Sequence, residues 1–353
     1  MQSKTYTKNL IMDKKQVLIT GVTGQDGSVL ASILSSKDFD IFGASRRNSH
    51  NLWRINELDL ANKISFLNYD ATDSSSIDYI MSKHKFESIF HFAGSSFTVD
   101  SLEFPQNTLI TNINGTLSLL EAARKYSPES KIFIAGSSEV FSRKTTADAL
   151  HITEMSPRSP VNPYGVSHLA IDALVEIYRN SHGLQISLGI FFNHESKFRS
   201  LQFVTRKITS GLAQMKFSYN SPLKLGNFSA SRDWSCAVEF MEGASLLMEK
   251  SIFDDFVFAS GKSTTVRELL TQSAKVAGFE PCFEGIEFNE VCIDSKSGKI
   301  LAVSDRKFYR ETDSCKVVGD CSLISQAIGW RPKRDILEVV EEMTFADIKR
   351  VSK

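Results

Sequence analysis

Short apolar runs alternate with amphipathic stretches through the first three quarters of the chain. Val17–Thr20, Phe39–Ser45, Ile64–Tyr69, Ser88–Ala93, Lys131–Ala135, Gln185–Phe192 and Phe256–Ala259 each read as a strand. They are continuous apolar runs rather than strict alternations, which is the pattern of strands buried on both faces. Between them lie segments with helical spacing. Val29, Leu30, Ile33 and Leu34 recur on one face of a helix starting near Gln25-Asp26. Further helices are expected near residues 74–84, from about Pro105 to Tyr126, from Pro163 to about Ser181, and near 237–250. Strand and helix in alternation predict an α/β fold, a doubly wound parallel sheet covered on both sides. The pattern loosens after Asn193, in segments 195–235 and 264–353. A chain of 353 residues exceeds what one core usually holds, so two lobes are expected. The assignment is an N-terminal tail (1–14), a dinucleotide-binding lobe (15–193 with about 236–262) and a smaller α/β substrate lobe (194–235 and 263–353).

The first strand runs into glycines at 21, 24 and 27. Gly21 lets the chain turn off the strand, Gly24 lets the backbone approach a pyrophosphate, and Gly27 lets the next helix pack on the sheet. The first amides of that helix, at Gln25 and Asp26, would face the phosphates. The GxxGxxG spacing resembles the extended branch of the short-chain dehydrogenase/reductase superfamily, a Rossmann-type fold. After the second strand stand Arg46 and Arg47, where an acidic residue would favour NAD. Guanidinium groups suit the 2′-phosphate of NADP. Asp70 and Ala71 follow the third strand, within reach of an adenine ring. Phe92, Ala93, Gly94 and Ser96 end the fourth, where small residues leave room for a nicotinamide.

The fifth strand leads to Ser137-Ser138-Glu139, and the helix after it begins Asn162-Pro163-Tyr164-Gly165-Val166-Ser167-His168. Tyr164 and His168 are four apart and share a helical face. A tyrosine hydroxyl titrates near 10, so it needs a positive neighbour to act as a base near neutrality. The superfamily supplies that with Tyr-x-x-x-Lys; here His168 stands in the lysine position. A carboxylate at Glu139 permits a second proton transfer, next to a newly formed ketone, as dehydration requires.

From Val17 onward the chain resembles the GDP-mannose 4,6-dehydratase family. The strings that carry the likeness are GVTGQDGS at Gly21–Ser28, Arg46-Arg47 with Arg54-Ile55, Phe192–Ser196, Phe203–Ile208, Leu225-Gly226-Asn227, Arg232-Asp233-Trp234 and Phe308-Tyr309-Arg310. The resemblance implies an NADP-dependent oxidation at C4 of a GDP-sugar, loss of water across C5–C6 and return of hydride to C6. It implies Tyr164 as base, Ser137 on the C4 oxygen, Glu139 at C5, and His168 on the ribose. It implies Asn193, Lys207, Leu225, Gly226, Arg232 and Arg310, with Ser96 and Ser137, around the substrate, and His194 and Arg199 on the cofactor side. It also implies a homodimer or homotetramer. The chain departs from the family at His168, at Ser137 for threonine, at Phe97 for histidine, at Ser142, at Lys197-Phe198 and Ser200–Gln202, and at Glu311. These changes gather at the sugar, the cofactor and the subunit contact. A related C4 oxidoreductase or epimerase, and a weakened nucleotide-sugar-binding homologue, are the competing readings.

Composition narrows the classes further. Lys+Arg and Asp+Glu balance at 41 each, so no basic excess points to nucleic acid or an anionic membrane. No apolar run reaches the length of a membrane span. The five cysteines (Cys236, Cys282, Cys292, Cys315, Cys321) contain no CxxC pair and read as reduced thiols of a cytoplasmic protein, with no metal site.

Overall fold

The computed structural model describes residues 14–47, 51–141, 150–218, 221–308 and 317–352. Seven parallel strands form the central sheet: β1 (Lys15–Thr20), β2 (Phe39–Ser45), β3 (Ile64–Asn68), β4 (Ser88–His91), β5 (Lys131–Ser137), β6 (Gln185–Phe191) and β7 (Asp255–Phe258). Their order is β7-β6-β5-β4-β1-β2-β3. The order reverses between β1 and β4, so a crevice opens there at the carboxyl ends of the strands.

Successive residues on a strand face opposite sides, and here both sides are apolar. Leu18, Ile89, Ile132 and Ile134 join one buried cluster, while Val17, Ile19, Phe90 and Phe133 join the other. Helices α1 (Gln25–Leu34) and α2 (Trp53–Glu57) lie along the glycine-turn end of the chain. Helix α3 (Ser74–Lys83) packs on one face of the sheet. Three further helices follow β4: α4 (Thr98–Glu103), α5 (Pro105–Leu109) and α6 (Gly115–Tyr126), then α7 (Pro163–His182). Each has a local cause. Asp73 caps α3 by accepting from the Ser75 amide, and Asn162 caps α7 by accepting from the Gly165 amide at 2.8 Å, with Pro163 in the first turn. Gly183, at φ 68°, ends α7 in the left-handed region.

The stretch from Pro105 to Tyr126 is not one continuous α-helix. Residues Ile110–Asn114 form a π-helical turn between α5 and α6. Such turns insert a residue into the helical ladder and re-aim side chains. Here the turn aims Asn112, whose Oδ1 accepts from the Ser95 amide at 2.7 Å and whose Nδ2 donates to Ser95 O (3.1 Å) and Ser167 Oγ (2.9 Å).

A third packed cluster lies outside the central sheet. Its helices are α8 (Val204–Phe217), α9 (Ala237–Lys250), which also covers the sheet, α10 (Val266–Ala277) and a C-terminal helix over Ile336–Val351. Asn193–Glu195 and Ser231–Cys236 pair in parallel, and Leu223–Leu225 joins the sheet of Pro281–Glu284, Val291–Asp294 and Ile300–Ser304. Asp233 ties this region to the end of β7. Its carboxylate accepts from Ser260 N (2.8 Å), Ser260 Oγ (2.6 Å), Gly261 N (2.9 Å) and Gly319 N (3.1 Å).

On α7, Asp172 is partly buried, its buried Oδ1 has no hydrogen-bond partner, and Arg158 Nε lies 3.5 Å from its Oδ2. Burial, partly offset by Arg158, pushes the Asp172 carboxyl up to about 7 from 3.8. Ionising it in the folded state therefore costs stability as pH rises through that interval, by at most about 4 kcal/mol. Asp172→Asn should melt several degrees above the parent protein at about pH 8, and the gain should vanish by about pH 4. Thermal melts across pH check this; a pH-independent difference would overturn the assignment.

Candidate active site

The crevice at the switch point deepens into a cavity of about 860 Å³. Its floor is the glycine turn. Gly21 sits at φ 70°, and a Cβ there would lie 2.8 Å from Ala93 N and from Phe92 C. Any side chain would drive β1 and β4 apart. Gly27 is equally tight, with a Cβ placed 2.5 Å from Gly21 O. It packs the helix on the turn itself rather than on the sheet. Gly24 caps α1 with no side-chain bond, leaving the first amides of α1 to face the cavity.

The side chains of Gln25 and Asp26 are committed elsewhere. Gln25 Nε2 donates to His194 O at 3.2 Å, and its Oε1 accepts from Ser196 Oγ at 2.9 Å. Asp26 Oδ1 lies 3.1 Å from His194 Nε2. Burial opposes ionisation of Asp26, but His194 and Arg199 outweigh it and hold the carboxyl at about 2. These contacts lash the turn to the segment after β6. Arg54 completes the lashing. It is 4% exposed and donates from Nε to Phe198 O (2.6 Å) and from Nη1 to Thr23 O (3.1 Å). Burial, then the neighbouring Arg206, lowers its guanidinium to about 10.

Arg46, Asp70, Ala71, Phe92, Ala93, Gly94 and Ser96 line the cavity, as do Asn193, His194 and Arg199. Arg47 does not; its amide donates to Asn68 Oδ1 at 2.9 Å. Asp70 Oδ1 is already bonded to the amide and hydroxyl of Thr72. At the other end stand Ser137, Glu139, Tyr164 and His168. Glu139 N donates to Ser137 Oγ at 3.2 Å, and Asn162 Nδ2 donates to Glu139 Oε2 at 3.0 Å. Burial pushes the Tyr164 phenol up to about 12; the Ser137 hydroxyl and the Arg199 charge pull the other way. The His168 ring meets the Tyr164 ring edge-on, centroids 4.5 Å apart. It is 8% exposed, and its Nδ1 has no hydrogen-bond partner. Burial lowers it to about 4, outweighing the Glu139 charge. At neutral pH His168 is therefore uncharged, and Tyr164 has no cation in the place where the superfamily's lysine would put one.

The remaining expected substrate residues lie apart from this cavity. Arg232 borders a small void with Asn193, Phe192 and Ser138, and donates to Ser231 O at 2.7 Å. Lys207 donates to Lys224 O at 2.5 Å and lies 4.2 Å over the Phe308 ring. Leu225 is core, and a Cβ on Gly226 would lie 2.3 Å from Phe308 O. Arg310, Tyr309, Glu311, Ser142 and Cys315 fall outside the described residues. Asn112 and His91 line the cavity with no sequence signal of their own: Asn112 needs the π turn, and His91 needs its bond to Thr20 Oγ1 (2.8 Å). Phe203 and Arg54 stand in strings of the family likeness, but only the fold stacks Arg199 on Phe203 at 3.6 Å and brings Arg54 to the turn. Among the described residues no His/Cys/Asp/Glu group could hold a metal, and no helix is long and apolar enough to cross a membrane.

The family model described as GDP-mannose 4,6 dehydratase matches residues 18–343. The chain is 34% identical over 339 residues to the GDP-mannose 4,6-dehydratase sdnI of Sordaria araneosa, across 96% of this chain and 62% of that longer protein. It is 34% identical over 354 residues to the GDP-mannose 4,6-dehydratase of Vibrio cholerae, across 95% of this chain and 94% of that one. Among solved structures, RMD from Pseudomonas aeruginosa complexed with NADPH shares the fold at a TM-score of 0.75 and 21% identity, over 95% of this chain and 99% of that one. The sheet order, the glycine turn and the sequence match agree: the chain belongs to the GDP-mannose 4,6-dehydratase family.

Proposed function

We propose that the protein is an NADP-dependent 4,6-dehydratase of a GDP-sugar. The observation that carries this reading is one cavity that joins the glycine turn to Ser137, Glu139 and Tyr164. A simple alcohol oxidation needs the hydroxyl pair alone; the carboxylate beside it suits an elimination.

The cavity has the features a dinucleotide requires. A Cβ on Gly24 would meet only Gly21 O, at 3.2 Å, so the backbone is open on its other side. Gly21, Gly24 and Gly27 with the α1 amides would hold the pyrophosphate, Arg46 the 2′-phosphate, and the unpartnered His168 Nδ1 a ribose hydroxyl. Bound NADP would accept a hydride from C4 of the sugar and return it at C6. Tyr164 takes the proton of the C4 hydroxyl, and Ser137 hydrogen-bonds the C4 oxygen. The new ketone acidifies C5–H, so Glu139 takes that proton and passes it to the C6 hydroxyl, which leaves as water. With hydride added at C6 and the proton held by Tyr164 delivered to C5, the product is a GDP-4-keto-6-deoxy sugar, and Tyr164, Glu139 and the cofactor end as they began. Asn193, Lys207, Arg232 and Arg310 are proposed for the nucleotide diphosphate.

The neutral state of His168 favours a second reading, a catalytically weakened nucleotide-sugar-binding homologue. The free thiols at Cys236, Cys282, Cys292 and Cys321 support a reducing compartment, the cytoplasm. Exposed Val99, Leu102, Ile110, Val166 and Ile177 on the contacting helices α4 to α7 support a homo-oligomer. Light scattering should give a dimer or tetramer mass; a monomer at micromolar concentration would contradict it.

Glu139→Gln should abolish water loss from a GDP-hexose while C4 oxidation, read as reduction of the nicotinamide, persists. Equal loss of both steps would remove Glu139 from its role. His168→Lys should place a charge beside Tyr164 and move the rising limb of kcat/KM against pH to lower pH. Each unit of movement gives about a tenfold faster rate below the limb. An unchanged profile would show that Tyr164 is activated without that position.

A further inference from the structure

We propose that Asn162 is a positioning residue that aims Glu139 at the reacting carbon and sets its distance from Tyr164; the proposal rests on the dehydratase reading above. Asn162 is the N-cap of α7, and its Oδ1 accepts from the Gly165 amide at 2.8 Å. A backbone N–H demands the oxygen at that point, so the orientation of the amide is settled. Its Nδ2 must then face the other way, and there it donates to Glu139 Oε2 at 3.0 Å. One side chain thus closes the helix and grips the carboxylate.

The grip is reinforced by the backbone. A Cβ on Gly165 would lie 2.3 Å from Glu139 O and 2.9 Å from Pro160 Cβ, so the first turn of α7 is pressed directly against the Glu139 peptide. Tyr164 stands two residues beyond the cap, on that same turn. From the strand side, Glu139 N donates to Ser137 Oγ at 3.2 Å. The base, the phenol and the serine are therefore referenced to one short stretch of helix terminus. The partial positive charge there also suits a carboxylate.

Asn162→Ser separates the two duties. Serine caps a helix about as well as asparagine, so folding should hold, but the amide donor to Glu139 is lost. The expected result is a melting temperature near that of the parent protein, an unchanged KM for the GDP-hexose, and kcat reduced roughly 10- to 100-fold. Exchange of solvent deuterium into C5 should slow by the same factor, while C4 oxidation in a single turnover stays fast. Asn162→Asp also keeps the cap and should lose the exchange. Asn162→Ala should lose both exchange and thermal stability. If Asn162 only caps the helix, Ser and Asp variants turn over and exchange at the parent rate, and the proposal fails. Glu139→Gln run alongside separates the causes: if it too exchanges normally, the base assignment itself has failed; if it is inert while Asn162→Ser is normal, the proposal alone falls.

Discussion

The contact between the glycine turn and the end of β4 is the constraint on which the rest of the site depends. Gly21 brings the backbone after β1 against Phe92 and Ala93 so closely that no side chain fits between. That contact closes the sheet at its switch point and leaves the amides of α1 facing a single crevice. Gln25, Asp26 and Arg54 then tie the turn to the strand and loop after β6, using bonds to His194, Ser196 and Phe198. The glycine turn and the Ser137–Tyr164 end of the cavity are thereby parts of one bonded frame.

Burial decides the electrostatics inside that frame. An exposed histidine would be partly charged near neutrality. His168 is enclosed, and the cost of desolvating an imidazolium exceeds the attraction of Glu139. The same enclosure raises the Tyr164 phenol. Two groups that a lysine would have set against each other are instead both held neutral. The positive charge that acts on Tyr164 comes from Arg199, fixed by the Phe203 ring at 3.6 Å and by Glu195 at 3.2 Å.

Much of this was legible in one dimension. The seven apolar runs correspond to the seven strands; in the central strands residues facing either side of the sheet are buried, a signal that does not depend on partners, while the edge strand β3 is largely exposed. Gly21 and Gly27 were legible because only glycine tolerates the positive φ at one and the backbone contact at the other. The run from Pro105 to Tyr126 misled by its helical periodicity: a π turn preserves that pattern while shifting the register, and Asn112 is the residue it redirects. Arg47 was paired with Arg46 by adjacency, yet only Arg46 reaches the cavity wall, since neighbouring residues at a strand end diverge.

The sequence by itself determined the strand and helix succession, the phosphate-type turn, the residue types of the proposed catalytic set and the family. These follow from local rules: periodicity, the sterics of glycine, and chemistry carried by side-chain identity. Only the tertiary structure decided which of those side chains meet and in what state. That Asn162 spans from the α7 cap to Glu139, that Arg54 reaches both Thr23 and Phe198, and that His168 is uncharged are outcomes of packing between segments distant in the chain. The physical reason is that contact and desolvation depend on the full three-dimensional surroundings of a group, and one-dimensional spacing does not encode them.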